Sequence, residues 1–155
     1  MAKQLVRPPP APADYTDDFY NWCLEQAAHL RAARMEALDL ENLAEEIETL
    51  SNEQPHAFRS AYRVLLVHLL KWRYQPKRRT RSWAGTIVRE RGNAVDRLKG
   101  NRGLLQHRHR LFAEAYARAR REAAAETGLA LATFPVECPF TFDQALDDEF
   151  WPEAT

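Results

Sequence analysis

The chain has 155 residues, 45% apolar and 28% charged, which is the composition of a soluble globular protein. A single domain of that size buries roughly 70% of its unfolded surface and needs no disulfide or metal staple. Two cysteines, Cys23 and Cys138, lie far apart with no CxxC spacing. They read as reduced thiols of a cytosolic protein without thiolate chemistry. The formal net charge of zero conceals a segregation: residues 71–121 hold sixteen Lys or Arg against three acids, a balance of +13, and the remainder carries −13.

The start of the chain, MAKQLVRPPPAPADY, has no apolar stretch of signal-peptide length. Residues 1–13 read as a disordered proline-rich tail, and 14–152 as a single helical domain. Asp17 or Thr16 is placed to cap a first helix with Phe19, Trp22, Cys23, Ala27 and Leu30 inward, ending near Met35. Asp39 is the cap of a second helix, LENLAEEIETL. Its inward face would be Leu40, Leu43, Ala44, Ile47 and Leu50, with Glu41, Glu45 and Glu48 on the far side and Glu46 at the border. Ser51, Asn52 and Pro55 are expected to break the chain there, since proline costs about 3 kcal/mol in a helix interior.

The segment Phe58–Trp72, FRSAYRVLLVHLLKW, is apolar on most sides of a helical wheel. A helix of that kind belongs at the centre of a bundle. Its length of about fifteen residues is too short to span a bilayer. Only Arg59, Ser60, Arg63 and Lys71 give it a polar side, with His68 at the edge of the apolar stripe. RYQPKRRTRS follows as a charged loop around Pro76. A fourth helix starts at a Ser82 cap, and Gly100, Asn101 and Gly103 end it. A fifth runs from about Leu104 to Thr127 with Gly128 as C-cap. The last segment is a proline-punctuated aromatic strap with one helical turn near Asp143–Asp147. No stretch alternates with the period of a strand. The fold class is therefore all-α, a compact bundle of about five helices around a buried central one.

Several segments resemble, in order, a bacterial family of unknown function, the domain-of-unknown-function family twenty-nine. They are DDFYNW at 17–22, LDLENLAEEIETL at 38–50, HLLKWRYQP at 68–76, SW at 82–83, AAAET at 123–127, ECP at 137–139 and FWP at 150–152. The resemblance implies a small helical domain. It implies no activity and no catalytic residues.

Three patterns carry candidate chemistry. Lys71, Arg73, Lys77, Arg78, Arg79 and Arg81 are interleaved with Trp72, Tyr74 and Trp83, a composition that nucleic-acid sites use. The competing reading pairs these cations with the acids of 36–53, leaving the tryptophans in the core. Arg63 and His68 form an R-x4-H spacing similar to that of the HEPN ribonucleases, with valine after the arginine where that motif has a polar residue. The two side chains stand about 140° apart on the wheel. A third site would join His68 to Asp39 and Glu46, yet there is no ExxH or HExxH spacing for a metal. Glu46 is also the acid expected to bridge inward to Arg63, to His68 or to an arginine of 78–91. On balance the chain reads as a non-catalytic cytosolic interaction or regulatory module with a charge-segregated surface. It would act through a protein partner or self-association, with nucleic acid as a further partner and no cofactor, metal or membrane. The alternative is a nuclease-like hydrolase using Arg63, His68 and Glu46.

Overall fold

The computed structural model describes residues 12–155. The expected tail therefore lies outside the described residues except for Pro12 and Ala13, and the backbone amide of Ala13 donates to Glu25 at 2.9 Å. Among the described residues there are five α-helices and no strand. They are α1 (Phe19–Arg31), α2 (Leu40–Tyr74), α3 (Arg81–Gly100), α4 (Arg108–Thr127) and α5 (Phe142–Leu146), and the chain is all-α as expected. It divides into two compact units at Leu50/Ser51.

In the first unit, the Asp18 carboxylate caps α1 by accepting from the Asn21 amide at 3.2 Å. The helix stops four residues earlier than expected. Ala33 turns left-handed at φ 53°, and the Arg34 amide closes back on the His29 carbonyl at 3.0 Å. Asp39 caps α2, as its position predicts, by accepting from the Asn42 amide at 3.3 Å. The inward faces expected here are mostly open. Trp22 is buried, but Leu40, Ile47 and Leu50 are 62%, 64% and 59% exposed.

The expected break at Ser51–Pro55 does not occur. α2 is one helix of 35 residues with Pro55 inside it. Proline removes one donor, so the Ser51 carbonyl alone lacks its i+4 partner, and the helix passes through at that local cost. The count of five helices is thus reached differently: the expected second and central helices are one, and the single turn in the strap is α5.

The second unit is built on residues 58–71 of α2. Phe58, Tyr62, Leu65, Leu66, Leu69 and Leu70 are all fully buried. They share one core with Ile87 and Ala94 of α3, Leu111, Ala115, Ala119 and Ala123 of α4, and Phe134, Phe140 and Ala145 of the C-terminal strap. The strap is tied by side chain to backbone. The Tyr62 hydroxyl donates to the Phe142 carbonyl at 2.8 Å, and the Tyr116 hydroxyl to the Pro135 carbonyl at 2.6 Å. α3 begins two residues earlier than expected, capped by Thr80 rather than Ser82. A short 3-10 stretch, Arg102–His107, precedes α4, and Gly128 ends that helix at φ 73°, the left-handed cap that glycine adopts freely.

Leu65 sits at 0% exposure in the middle of this core. Leu65→Ala is expected to cost about 2–5 kcal/mol through lost burial and the cavity left behind. Urea unfolding measures it, and a loss below 1 kcal/mol would place the core elsewhere.

Candidate functional site

In the first unit, polar side chains converge on Asp39. Its carboxylate accepts from Trp22 Nε1 at 3.2 Å and from Asn42 Nδ2 at 2.7 Å, while its own amide donates to Gln26 Oε1 at 2.8 Å. The hydrogen bonds from Asn42 hold this carboxyl below its ordinary range. One side chain thus starts α2 and holds α1 against that start. Glu46 lies nearby but makes no inward bridge. It accepts the Tyr15 hydroxyl at 2.6 Å, and that bond pushes the phenol up to about 12, so Tyr15 stays a neutral donor at physiological pH. The rings of Tyr15 and Trp22 meet edge to face with centroids 4.9 Å apart.

Above this cluster opens a cleft of about 590 Å³, lined by Tyr15, Trp22, Glu25, His29, Glu36 and Asp39 among others. Its lining includes the acids Asp14, Glu25, Glu36 and Asp39 and the half-buried Tyr15 ring, with Trp22 almost wholly buried at 3% exposure. That is an environment for an organic cation, whose charge the acids offset and which the Tyr15 ring can contact. Among the described residues no group of three or more His, Cys, Asp or Glu could hold a metal ion.

The expected sites of the second unit are placed differently from one another. Arg63 is bonded to Glu122 and Arg59 to Glu114, both acids of α4, and Lys71 Nζ reaches Glu126 of the same helix at 2.6 Å. The partner foreseen for Arg63, Glu46, is replaced by an acid far along the chain that faces it from α4. His68 is half-buried and its Nδ1 lies 3.0 Å from the Val64 carbonyl, so that nitrogen carries the proton. Arg63 lines a groove with His56, Arg59, Ser60 and Arg118, and the histidine beside it there is His56. Arg63, His68 and Glu46 each have a separate partner.

The six cations of the basic segment fall into two sets. Lys71 is buried and stands 4.5 Å over the Trp83 ring. Arg73 Nε donates to the Thr155 hydroxyl at 2.8 Å, and Arg79 Nε to the Trp72 carbonyl at 2.9 Å. These three hold the fold. Lys77, Arg78 and Arg81 are exposed around the 3-10 turn Pro76–Arg78. Trp72 and Trp83 are both half-buried, and Trp72 packs against Trp151 at 4.8 Å. Cys138 is a half-buried free thiol pushed up to about 12 by burial, which favours the protonated thiol at neutral pH.

The profile of the family described as domain of unknown function DUF29 matches residues 15–151. The chain belongs to the DUF29 family. Comparison with curated proteins and with solved structures finds no match. Four of the segments that carry the DUF29 resemblance meet in pairs, one pair within each unit. Trp22 touches Asp39 in the first unit, and in the second Trp72 touches Trp151 while Arg79 faces the Pro152 carbonyl at 3.5 Å. No helix of the described residues is long and apolar enough to cross a membrane.

One residue of the site's scaffold left no signal in the sequence. Arg91 is fully buried. Its guanidinium donates to the carbonyls of Ala145, at 3.0 Å, Asp148, at 3.3 Å, and Phe150. The Trp151 ring stands 5.4 Å from its charge. No carboxylate is bonded to it, so three backbone dipoles and a ring face solvate the cation. Burial holds its pKa below the usual arginine value.

Arg91→Met should cost at least about 3 kcal/mol, because each hydrogen bond to a charged group is worth about 1.5–3 kcal/mol. Arg91→Lys should recover little of it, since an ammonium lacks the planar fork that reaches three acceptors. Urea unfolding of both variants tests this, and wild-type stability in either would remove the anchor. His68 carries a pH signature. Burial keeps its imidazole below the ordinary value, so the unfolded chain binds the proton more readily. Its contribution to stability is complete above the ordinary imidazole range and is lost as the pH falls through its lower folded value. The gap in unfolding free energy between pH 7.5 and pH 5 should shrink in His68→Asn, and an unchanged gap would refute the assignment.

Proposed function

We propose that this DUF29 chain is a non-catalytic interaction module whose first unit binds a positively charged segment of a protein partner. The observation that carries the reading is the acidic cleft over Asp39. Glu25, Glu36 and Asp39 line it together with the half-buried Tyr15 ring. Charge composition supports it: residues 1–50 hold four Lys or Arg against ten acids, and residues 51–155 hold eighteen against twelve. A cation over the Tyr15 face gains about 0.5–2 kcal/mol, and flanking acids steer association. The neighbouring exposed side chains, Phe19, Tyr20 and Leu24, add apolar contact area around such a segment. A second reading, nucleic-acid binding through the basic segment, rests on the exposure of Lys77, Arg78 and Arg81 beside a half-buried Trp83.

The test places a photocrosslinking residue at Tyr20, which is 72% exposed. Crosslinking is run in cells of the native host, with and without Glu36→Lys and with and without nuclease treatment. The reading expects a protein adduct that carries a Lys- or Arg-rich peptide and is lost with Glu36→Lys. An adduct that survives Glu36→Lys, or no adduct at all, defeats it. An adduct lost on nuclease treatment favours the nucleic-acid reading instead.

A further inference from the structure

The groove between α2 and α4 of the second unit has a different chemistry. His56, Arg59, Ser60 and Arg63 recur at i, i+3, i+4 and i+7 along α2, so they share one face. Arg118 of α4 closes the other side. The cleft they line is about 240 Å³, smaller than the ~300 Å³ at which whole small-molecule sites begin. It has room for one anionic group and not for a large ligand.

Donors in this groove outnumber acceptors. Arg63 gives one nitrogen, Nη1, to Glu122, and Arg59 gives Nη1 to Glu114 and Nη2 to His56 Nδ1 at 2.6 Å. A guanidinium has five N–H donors, so each keeps some in reserve. Because His56 accepts at Nδ1, its proton sits on Nε2, which makes it a donor as well. Arg118 is exposed and has no protein hydrogen bond among the described residues. The side chains of Arg59 and Arg63 are only 19% and 29% exposed, so their charges are partly desolvated.

The lining arginines Arg59, Arg63 and Arg118 stand against Glu114 and Glu122, a surplus of +1 that becomes +2 with Arg110, which lies outside the groove lining but 3.7 Å from Glu114. A phosphate monoester carries about −1.5 to −2 at neutral pH and offers three acceptor oxygens. A phosphodiester carries a single charge. We infer that the α2–α4 groove is a binding site for a phosphate monoester group, held by Arg63, Arg118, the Ser60 hydroxyl and His56 Nε2. This inference stands apart from the cleft of the first unit.

Titration of the full chain with inorganic phosphate tests it, read by calorimetry and by amide shifts of Ser60 and Arg118 in NMR spectra. O-phosphoserine, dimethyl phosphate and a single-stranded oligonucleotide without terminal phosphate are the comparison ligands. Phosphate and O-phosphoserine should bind and shift both amides, with dimethyl phosphate at least about tenfold weaker, the value of one charged hydrogen bond. Arg118→Gln and Ser60→Ala should each weaken phosphate binding, Arg118→Gln by about tenfold or more. Neither side chain makes a protein hydrogen bond among the described residues, so their unfolding midpoints should stay close to wild type. Absence of the shifts, or Arg118→Gln binding as wild type does, overturns the site. Equal affinity for dimethyl phosphate or the unphosphorylated oligonucleotide overturns the monoester assignment in favour of a nucleic-acid backbone.

Discussion

Residues 58–70 of α2 bury eight apolar side chains. A helix with so much apolar surface must be covered on nearly every side. The second unit is the set of elements that does so: α3 and α4 supply Ile87, Ala94, Leu111 and the alanines at 115, 119 and 123, and the strap closes the remainder with Phe134, Phe140 and Ala145. The polar side of the helix is satisfied in the same geometry, because Arg59, Arg63 and Lys71 each meet an acid of α4. These pairs are part-exposed on one side or the other, so each contributes about 0–1 kcal/mol and serves orientation more than stability.

That organisation has a functional corollary. The positions that looked catalytic by spacing each have a partner of their own, whereas the open surfaces mix charged groups with exposed apolar side chains such as Leu40, Ile47 and Leu50. The first unit presents carboxylates beside aromatic rings, and the α2–α4 groove presents guanidinium groups. Both proposals rest on recognition of an opposite charge.

Much of the fold was legible from residues alone. Phe58–Trp72 declares itself by being apolar around the wheel, Asp39 by preceding an apolar-periodic run, and Gly128 by following one. These are local signals, and local physics decides them. Pro55 misled because the penalty for proline is local while α2 is stabilised by the burial of its second half. The faces of α1 and the start of α2 misled for the opposite reason: periodicity reports amphipathicity, and Leu40, Ile47 and Leu50 remain exposed despite it. Ion-pair partners were the least legible. Nothing near Arg63 in sequence points to Glu122, 59 residues away. Arg59, Ser60 and Arg63 were visible as part of a polar side, but His56 was not, and only α4 turns that side into a groove.

The environment of Arg91 also constrains how the molecule is made. Its side chain is synthesised 54 residues before the Ala145 carbonyl that receives it and 59 before that of Phe150. Until those residues leave the ribosome, a collapsed α2–α3 core would enclose a cation with nothing to solvate it. Intermediates that close early over an unsolvated Arg91 are therefore penalised. A product cut short before Phe150 would keep most of its apolar residues and yet lose one of the three carbonyls and the Trp151 ring that solvate this cation.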